Sequence, residues 1–251
     1  MRNLKLTLAY DGFEYHGWQV QPGASTIQGM LAAAVARITG EQNVPQGSGR
    51  TDAGVHALAQ VATVAVDSPI PVANLVIALN DILPPAIRVL EVTEVPENFH
   101  ARKSAKAKTY RYRIYRGDIC PPFLARYVYH HPYPLDEAAM RAAGAMVEGE
   151  HDFASFAAVD PERERENAQV SNVRTIFSSQ WERQGDEFLY TVRGSGFLHH
   201  MVRNLVGAFL LVGKGTLDAA ALRRILAACD RSANPGATAP AAGLYLVNVE
   251  Y

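Results

Sequence analysis

The chain has 251 residues and a formal net charge of −1. Hydrophobic residues make up 48% of it, and its 19 glycines and 14 prolines are close to average usage, which excludes disorder, collagen and coiled coil as descriptions of the whole chain. The length allows one large domain or two modest ones. The two cysteines, Cys120 and Cys229, lie far apart, predict neither a disulfide framework nor a thiolate metal site, and favour a cytoplasmic protein.

Hydrophobic periodicity predicts alternating strands and helices in the first half of the chain. The first strand has one apolar face, formed by Leu4, Leu6, Leu8 and Tyr10. A helix follows, with Ser25 or Thr26 as its N-cap and Gly40 as its stop. The remaining elements of this half are a strand, a helix and a strand at residues Leu58–Val66, Val72–Leu83 and Ile87–Val95.

The second half repeats a similar order of elements. Its predicted strands are Thr109–Tyr115, Val173–Trp181, Glu187–Val192 and Leu244–Val249, and its predicted helices are Leu135–Val147, Phe197–Val212 and Leu217–Cys229. Two polar stretches, Pro161–Glu166 and Arg231–Gly243, are typical of solvated loops. We therefore predict an α+β protein with two domains, residues 1–104 and 105–251, each an antiparallel sheet covered by helices on one face. No stretch approaches the roughly 18 consecutive apolar residues of a membrane span, so no membrane partner is expected.

The segment from His100 to Gly117 is strongly basic. It contains seven lysines and arginines and no acidic residue, so it could bind several phosphates if it formed one surface. Within it, Tyr110 and Tyr112 alternate with Arg111 and Arg113, which suits RNA because bases stack on rings while cations hold the backbone. The alternative is a structural strand with half-buried tyrosines and solvated arginines.

A glycine-rich loop holds the most suggestive carboxylate of the chain. Residues 47–56 read GSGRTDAGVH, and the glycines allow unusual backbone dihedrals around Asp52. The pattern fits neither a Walker loop nor a dinucleotide-binding loop. The alternative is a turn in which Asp52 only hydrogen-bonds its own backbone.

Arg203 lies in a predicted helix that is otherwise apolar. A buried guanidinium is costly unless a carboxylate or phosphate meets its donors, so Arg203 is expected to pair with an anion, and Asp52 is the leading candidate. The alternative is an arginine whose head reaches the solvent. The eight histidines show no HExxH pattern, and no Gly-x-Ser-x-Gly elbow is present, so neither a metal site nor acyl-transfer chemistry is predicted.

Ordered motifs along nearly the whole chain resemble the tRNA pseudouridine synthase A family. They are YDGFEYHGWQVQP from Tyr10, GSGRTDAGVHALAQ from Gly47, FHAR from Phe99, KTYRYRIY from Lys108, HDFASF from His151, GSGFLHHMVRNLVG from Gly194 and APAAGLYLVNVEY from Ala239. The resemblance implies two RRM-like or ferredoxin-like α+β domains forming a pseudouridine synthase core. It also implies an enzyme that isomerises uridines at positions 38 to 40 of the tRNA anticodon stem-loop, acting as a homodimer with no metal or organic cofactor.

The resemblance assigns roles to individual residues. Asp52 matches the catalytic aspartate, Tyr110 the tyrosine that stacks on the target uracil, and Arg203 the arginine that pairs with the aspartate. Leu244 matches the apolar residue that closes the pocket, and Arg50 an arginine that displaces the target base. Arg111 and Arg113 of the basic strand are expected to contact RNA phosphates.

Two rival functions remain at this stage. A non-catalytic RNA-binding module would use the same aromatic and basic strand, with the loop around Asp52 serving only as structure. A glycosidase acting on small nucleosides would usually present two carboxylates, whereas the signature loop contains one. Only an isomerase makes a product of unchanged mass that resists cleavage of an N-glycosidic bond.

Overall fold

The computed structural model describes residues 1–159 and 171–251. These residues divide into two compact units, Met1–Lys108 together with Tyr245–Tyr251, and Thr109–Leu244. The assignment of domains 1–104 and 105–251 stays a prediction, but the units divide at a different place. The last residues belong to the first unit because Tyr245 pairs with His56 in its sheet, and Lys106 is held there through its backbone N–H, which donates to Glu250 O at 2.8 Å.

The first unit contains a sheet and two helices. Its elements are β1 (Arg2–Tyr10), α1 (Ile27–Thr39), β2 (Gln46–Gly47), β3 (His56–Val66), α2 (Val72–Ile82), β4 (Ile87–Val95) and, after Leu244, most of β10 (Leu244–Glu250). The strand order is β4-β1-β3-β10, with β2 beside β3. The pairs of β1 are antiparallel, as predicted, whereas β10 runs parallel to β3. The predicted apolar face of β1 is confirmed, because all four of its residues are buried.

Helix α1 shows how local sequence sets the limits of an element. Thr26, rather than Ser25, is the N-cap, and its Oγ1 accepts a hydrogen bond from Gly29 N at 3.3 Å. The helix ends at Gly40, whose φ of 78° is a left-handed conformation that glycine adopts at little cost. The helix thus begins and ends beside the residues that its sequence predicts.

The second unit has the same general construction. Among its described residues, the strands and α-helices are the greater part of β5 (Ala107–Tyr115), then β6 (Tyr129–His130), α3 (Glu137–Ala145), β7 (Gly149–Asp152), β8 (Val173–Gln184), β9 (Glu187–Gly194), α4 (Met201–Gly213) and α5 (Ala219–Ala228). The strand order is β5-β9-β8-β7, with β6 parallel to β5. The predicted alternation along β5 is confirmed, because Tyr110, Tyr112 and Ile114 are buried while Arg111 and Arg113 are partly exposed.

Three predicted helices begin too early, for local reasons. Helices α3 and α5 begin after Asp136 and Asp218, whose carboxylates accept hydrogen bonds from Ala139 N at 2.8 Å and Ala221 N at 2.6 Å. Helix α4 begins at Met201 instead of Phe197, because His200 has a φ of 57°, which a right-handed helix does not accommodate. Among the described residues, no helix has the length and apolar character needed to cross a bilayer.

The prediction of a solvated loop at Arg231–Gly243 is correct only in part, because residues 234–240 are irregular and several are exposed, but others are buried. This stretch contains two short 3₁₀ helices, Arg231–Ala233 and Ala241–Gly243, and Asn234 and Ala239 are buried. Asn234 Nδ2 donates to Ser155 O at 3.3 Å, and a side chain on Gly207 of α4 would overlap the backbone at Ala237. The small residues of this stretch let its backbone pack closely against α4, whereas their composition alone indicates a solvated loop. The other predicted loop, Pro161–Glu166, lies outside the described residues.

Candidate active site

The loop of residues 47–56 leads from β2 into β3 in the first unit. Asp52 is partly exposed near its middle, whereas the neighbouring Thr51 is only 5% exposed. Arg50 is exposed. The loop therefore presents the aspartate and the arginine while its other side is packed into the protein.

A second loop, residues 11–17, lies directly against the Asp52 loop. Trp18 N donates to Thr51 O at 3.0 Å, and Gly54 N donates to Tyr15 O at 3.2 Å. A Cβ on Gly17, whose φ is 84°, would lie 2.5 Å from Thr51 O, and one on Gly12 would overlap the Val55 carbonyl oxygen. These approaches explain the glycines in the motif that begins at Tyr10, a role that its sequence pattern does not reveal. The backbone around Asp52 is thus fixed from outside its own loop.

Tyr110 lies on β5 in the second unit, with 8% of its surface exposed. Its ring packs edge to face with Phe197, with 5.0 Å between the ring centroids. Phe197 comes from the motif that begins at Gly194, in which the sequence assigns a role only to Arg203. The packing holds the tyrosine ring in one orientation, as a stacking platform requires.

Arg203 is in the first turn of α4 and is partly exposed. Its Nε donates to Ala239 O at 2.7 Å, and Ala239 N donates back to Arg203 O at 3.2 Å. The guanidinium is therefore held by protein rather than simply extended into solvent. Asp52 belongs to the other unit, and its pairing with Arg203 stays a prediction.

The stretch from Ala239 to Leu244 connects several of the predicted residues of the second unit. The Tyr112 hydroxyl donates to Pro240 O at 2.8 Å, and a Cβ on Gly243 would come within 2.8 Å of the Tyr112 ring. Burial raises the pKa of Tyr112, while the charge of Arg203 opposes this shift, so Tyr112 is a neutral hydrogen-bond donor. Leu244 follows directly and is 5% exposed. Arg203 and Leu244 are thus both attached to a segment that packs on β5.

The basic segment does not form one free cationic surface. Arg102, Lys103 and Lys106 are exposed, but Lys108 Nζ donates to Ser48 O at 2.5 Å. The guanidinium of Arg116 donates to two backbone carbonyls, and its side chain is 9% exposed. Fewer than seven of the lysines and arginines in this segment are therefore available to bind the phosphates of an RNA backbone.

The two arginines predicted to contact phosphates differ in their partners. Arg113 forms a two-pronged ion pair with Glu187, with Nε to Oε2 at 2.7 Å and Nη2 to Oε1 at 2.6 Å. Arg111 Nε donates to Thr191 Oγ1 at 3.4 Å, a neutral and weaker contact. A carboxylate already offsets the charge of Arg113, so Arg111 is the better placed of the two to attract phosphate.

Comparisons with known proteins identify the family of the chain. Residues 7–102 and 143–251 match the family described as tRNA pseudouridine synthase, and the chain belongs to that family. The chain is 53% identical over 251 residues to tRNA pseudouridine synthase A of Solibacter usitatus, with 100% of each chain covered. It is 45% identical to the protein of that name from Brevibacillus brevis, again over 100% of both chains, and 46% identical to that from Moorella thermoacetica over 99% of both.

Proposed function

We propose that this protein converts uridine to pseudouridine at positions 38 to 40 of the tRNA anticodon stem-loop. Membership of the tRNA pseudouridine synthase family supports the reaction class. The observation that carries the assignment of the catalytic group is the Asp52 loop, in which a partly exposed carboxylate follows a buried, hydrogen-bonded threonine. A catalytic group must be held in a productive geometry, and this loop provides such a hold.

The reaction requires one carbon–nitrogen bond to break and one carbon–carbon bond to form. The bond from uracil N1 to ribose C1′ breaks, the base turns, and C5 joins C1′, after which the C5 proton passes to water and N1 carries a proton. Positive charge that develops at C1′ can be stabilised or captured by a carboxylate, as in glycoside chemistry. Asp52 supplies that carboxylate and acts in its ionised form.

The other site residues have distinct proposed roles. Arg203 pairs with Asp52 and orients it, and Tyr110 stacks on the detached uracil so that the base rotates without escaping. Leu244 excludes water that would hydrolyse the intermediate. Arg50 helps displace the target base, which must leave its stack at a cost of a few kcal/mol. The buried positions of Tyr110 and Leu244 support the roles that require a dry pocket wall.

Phosphate contacts from Arg111 and Arg113 offset part of the cost of unstacking, so tRNA binding should weaken with salt. We further propose that the protein acts as a homodimer whose basic cleft binds tRNA, and that it acts in the cytoplasm without a cofactor. Neither Cys120 nor Cys229 forms a disulfide, in keeping with a reducing compartment.

The test uses tRNA that carries tritium at C5 of its uridines, because a new bond at C5 must expel that label. Wild type should release tritium to water, and Asp52→Ala should release none while still binding tRNA. Asp118→Ala, which removes an exposed aspartate elsewhere, is the matched control and should behave as wild type. No release from a folded wild type that binds tRNA would contradict the proposal and favour an RNA-binding module. Release of free uracil would favour a glycosidase.

A further inference from the structure

Four buried polar side chains lie within the Asp52 loop or directly beneath it in the first unit. They are Tyr10, Ser48, Thr51 and Gln60, none of which is more than 5% exposed. We call them the Gln60 network. Buried polar groups are costly unless they are hydrogen-bonded, so a cluster of four requires an explanation.

The amide of Gln60 is fully satisfied. Its Nε2 donates to Gly49 O at 3.0 Å and to Tyr10 Oη at 3.4 Å. Its Oε1 accepts from Ser48 Oγ at 2.7 Å and from Val61 N at 3.1 Å. An amide has two donor hydrogens and an oxygen with two lone pairs, and all four are used here. The opposite amide orientation would direct NH₂ donors at the Val61 N–H, so the network fixes one orientation.

Tyr10 extends the network to the residue before the catalytic aspartate. Its Oη lies 2.8 Å from Thr51 Oγ1, and burial raises the pKa of Tyr10 to about 12, which keeps the hydroxyl neutral. The Tyr10 hydroxyl also accepts from Gln60 Nε2, so it connects Gln60 with Thr51. The position of Thr51 is therefore set by a side chain from β1.

The network holds the loop at nearly every residue that leads to Asp52. Ser48 is bound through its hydroxyl, Gly49 through its carbonyl and Thr51 through its hydroxyl. Lys108 Nζ adds a charged hydrogen bond to Ser48 O. Such extensive bonding exceeds what a surface turn requires, because an exposed turn can satisfy its polar groups with water.

We propose that Tyr10 and Gln60 are positioning residues for the isomerisation, because their network fixes where the carboxylate of Asp52 stands. The inference rests on the proposed function, in which Asp52 is the catalytic group. Displacement of a catalytic group by about 1 Å can cost roughly 100-fold in rate, even when the substituted residue is remote from the reaction. The network should therefore affect turnover more than tRNA binding.

The first test is Tyr10→Phe, which removes one hydroxyl and leaves the ring. We expect kcat for tritium release to fall roughly 10- to 100-fold, with the KM for tRNA unchanged. The substitution alters the position of the Asp52 carboxylate and leaves the side chains that contact RNA unchanged. The matched control is Tyr190→Phe in the second unit. The Tyr190 hydroxyl is also buried, and it lies 2.8 Å from Ser179 Oγ, so its loss should lower the melting temperature similarly and leave kcat unchanged.

The second test is Gln60→Met, which keeps the shape of the side chain and removes its amide. We expect a similar fall in kcat with unchanged KM. In the double variant Tyr10→Phe/Gln60→Met, the fold-loss in kcat should be smaller than the product of the two single-variant losses, because both substitutions act through the same loop. Tyr10→Phe/Tyr190→Phe should show the loss of Tyr10→Phe alone. Each variant is assayed at a temperature at which its circular dichroism shows it to be folded.

The outcomes separate this inference from the proposed function. If Asp52→Ala is inactive but Tyr10→Phe and Gln60→Met keep the kcat of wild type, the network is structural only, and the inference fails while the function stands. If one of the two does not fold, the other decides by the same criterion. If wild type releases no tritium from bound tRNA, the proposed function fails first, and the inference with it.

Discussion

The Asp52 loop and strand β5 both contain charged residues that the sequence singles out, but the structure differs in how far it exposes those charges. The loop contains one carboxylate of interest, and neutral buried side chains hold the backbone beside it while Asp52 itself stays partly exposed. β5 and its flanks are rich in cations, and several of these are bound within the protein, as the pair of Arg113 with Glu187 shows. The two regions therefore differ in how far their charged side chains are neutralised within the protein, and a count of charges in the sequence overstates the charge that a ligand meets.

The largest effect that we expect is on stability, and it comes from the close packing of Gly12 against the Asp52 loop at Val55. Gly12→Ala should lower the free energy of unfolding by about 2–3 kcal/mol and reduce tritium release, because the added Cβ would overlap the Val55 carbonyl oxygen. Gly23→Ala is the control, since nothing lies within 4 Å of its Cβ position, and its positive φ should cost only about 1 kcal/mol. Urea unfolding of both variants checks the prediction. Equal midpoints for Gly12→Ala and wild type would show that the loop yields easily.

An intermediate effect should distinguish the two arginines of β5. Arg111→Ala should weaken tRNA binding roughly 3- to 10-fold and lower the slope of log affinity against log salt by about 1, as for one lost phosphate contact. Arg113→Ala should cost less, because Glu187 already offsets that charge. Glu187→Gln should strengthen binding by releasing Arg113.

Binding titrations at several salt concentrations measure these effects. Equal losses for Arg111→Ala and Arg113→Ala would mean that RNA displaces Glu187 from its partner. Affinity that is independent of both salt and these substitutions would remove the phosphate-contact argument.

The smallest effect that we expect is on stability, and it comes from His131, a buried histidine near Arg116. Burial, followed by the charges of Lys214, Arg116 and His130, lowers the pKa of His131 to about 4. An unfolded histidine titrates near pH 6.5, so between about pH 6.5 and 4 the unfolded state binds more protons than the folded state. The contribution of His131 to stability is therefore complete above pH 6.5 and is lost as the pH falls towards 4.

Melting temperatures at about pH 7 and about pH 5 test this assignment. His131→Asn should lose less stability than wild type on acidification, whereas a substitution of the exposed His16 to Asn should leave the wild-type loss unchanged. The same acid sensitivity in His131→Asn and wild type would contradict the assignment.

The sequence predicted best those features that depend on local patterns. The apolar face of β1 and the stop of α1 at Gly40 follow from side-chain alternation and from the left-handed backbone that glycine permits. The alternation of Tyr110 and Arg111 likewise follows from the period of a strand. The motif around Asp52 singled out a carboxylate that the structure leaves partly exposed, and its catalytic role stays a prediction.

The features that escaped prediction depend on contacts between distant parts of the chain. The hydrogen bond of Arg203 to Ala239 could not be predicted, because Ala239 lies in a segment whose composition indicates a loop and whose position depends on the whole fold. The ion pair of Arg113 with Glu187 required the placement of β9 beside β5, and the Gln60 network required β1 and β3 to meet beneath the Asp52 loop. Residue type alone does not specify such partners, because many polar residues compete for each one.

The return of Tyr245–Tyr251 to the first unit has a consequence for how the protein is made. The ribosome synthesises residues 109–244 between the two parts of that unit, so the sheet of the first unit lacks β10 until residues 245–251 have been synthesised. Until then, β3 lacks its pairing partner at His56 and Ala57, and an unpaired stretch of strand edge is a site for misassembly with other chains. The second unit, in contrast, is one continuous range of residues, so all of it has been synthesised before β10 completes the first unit.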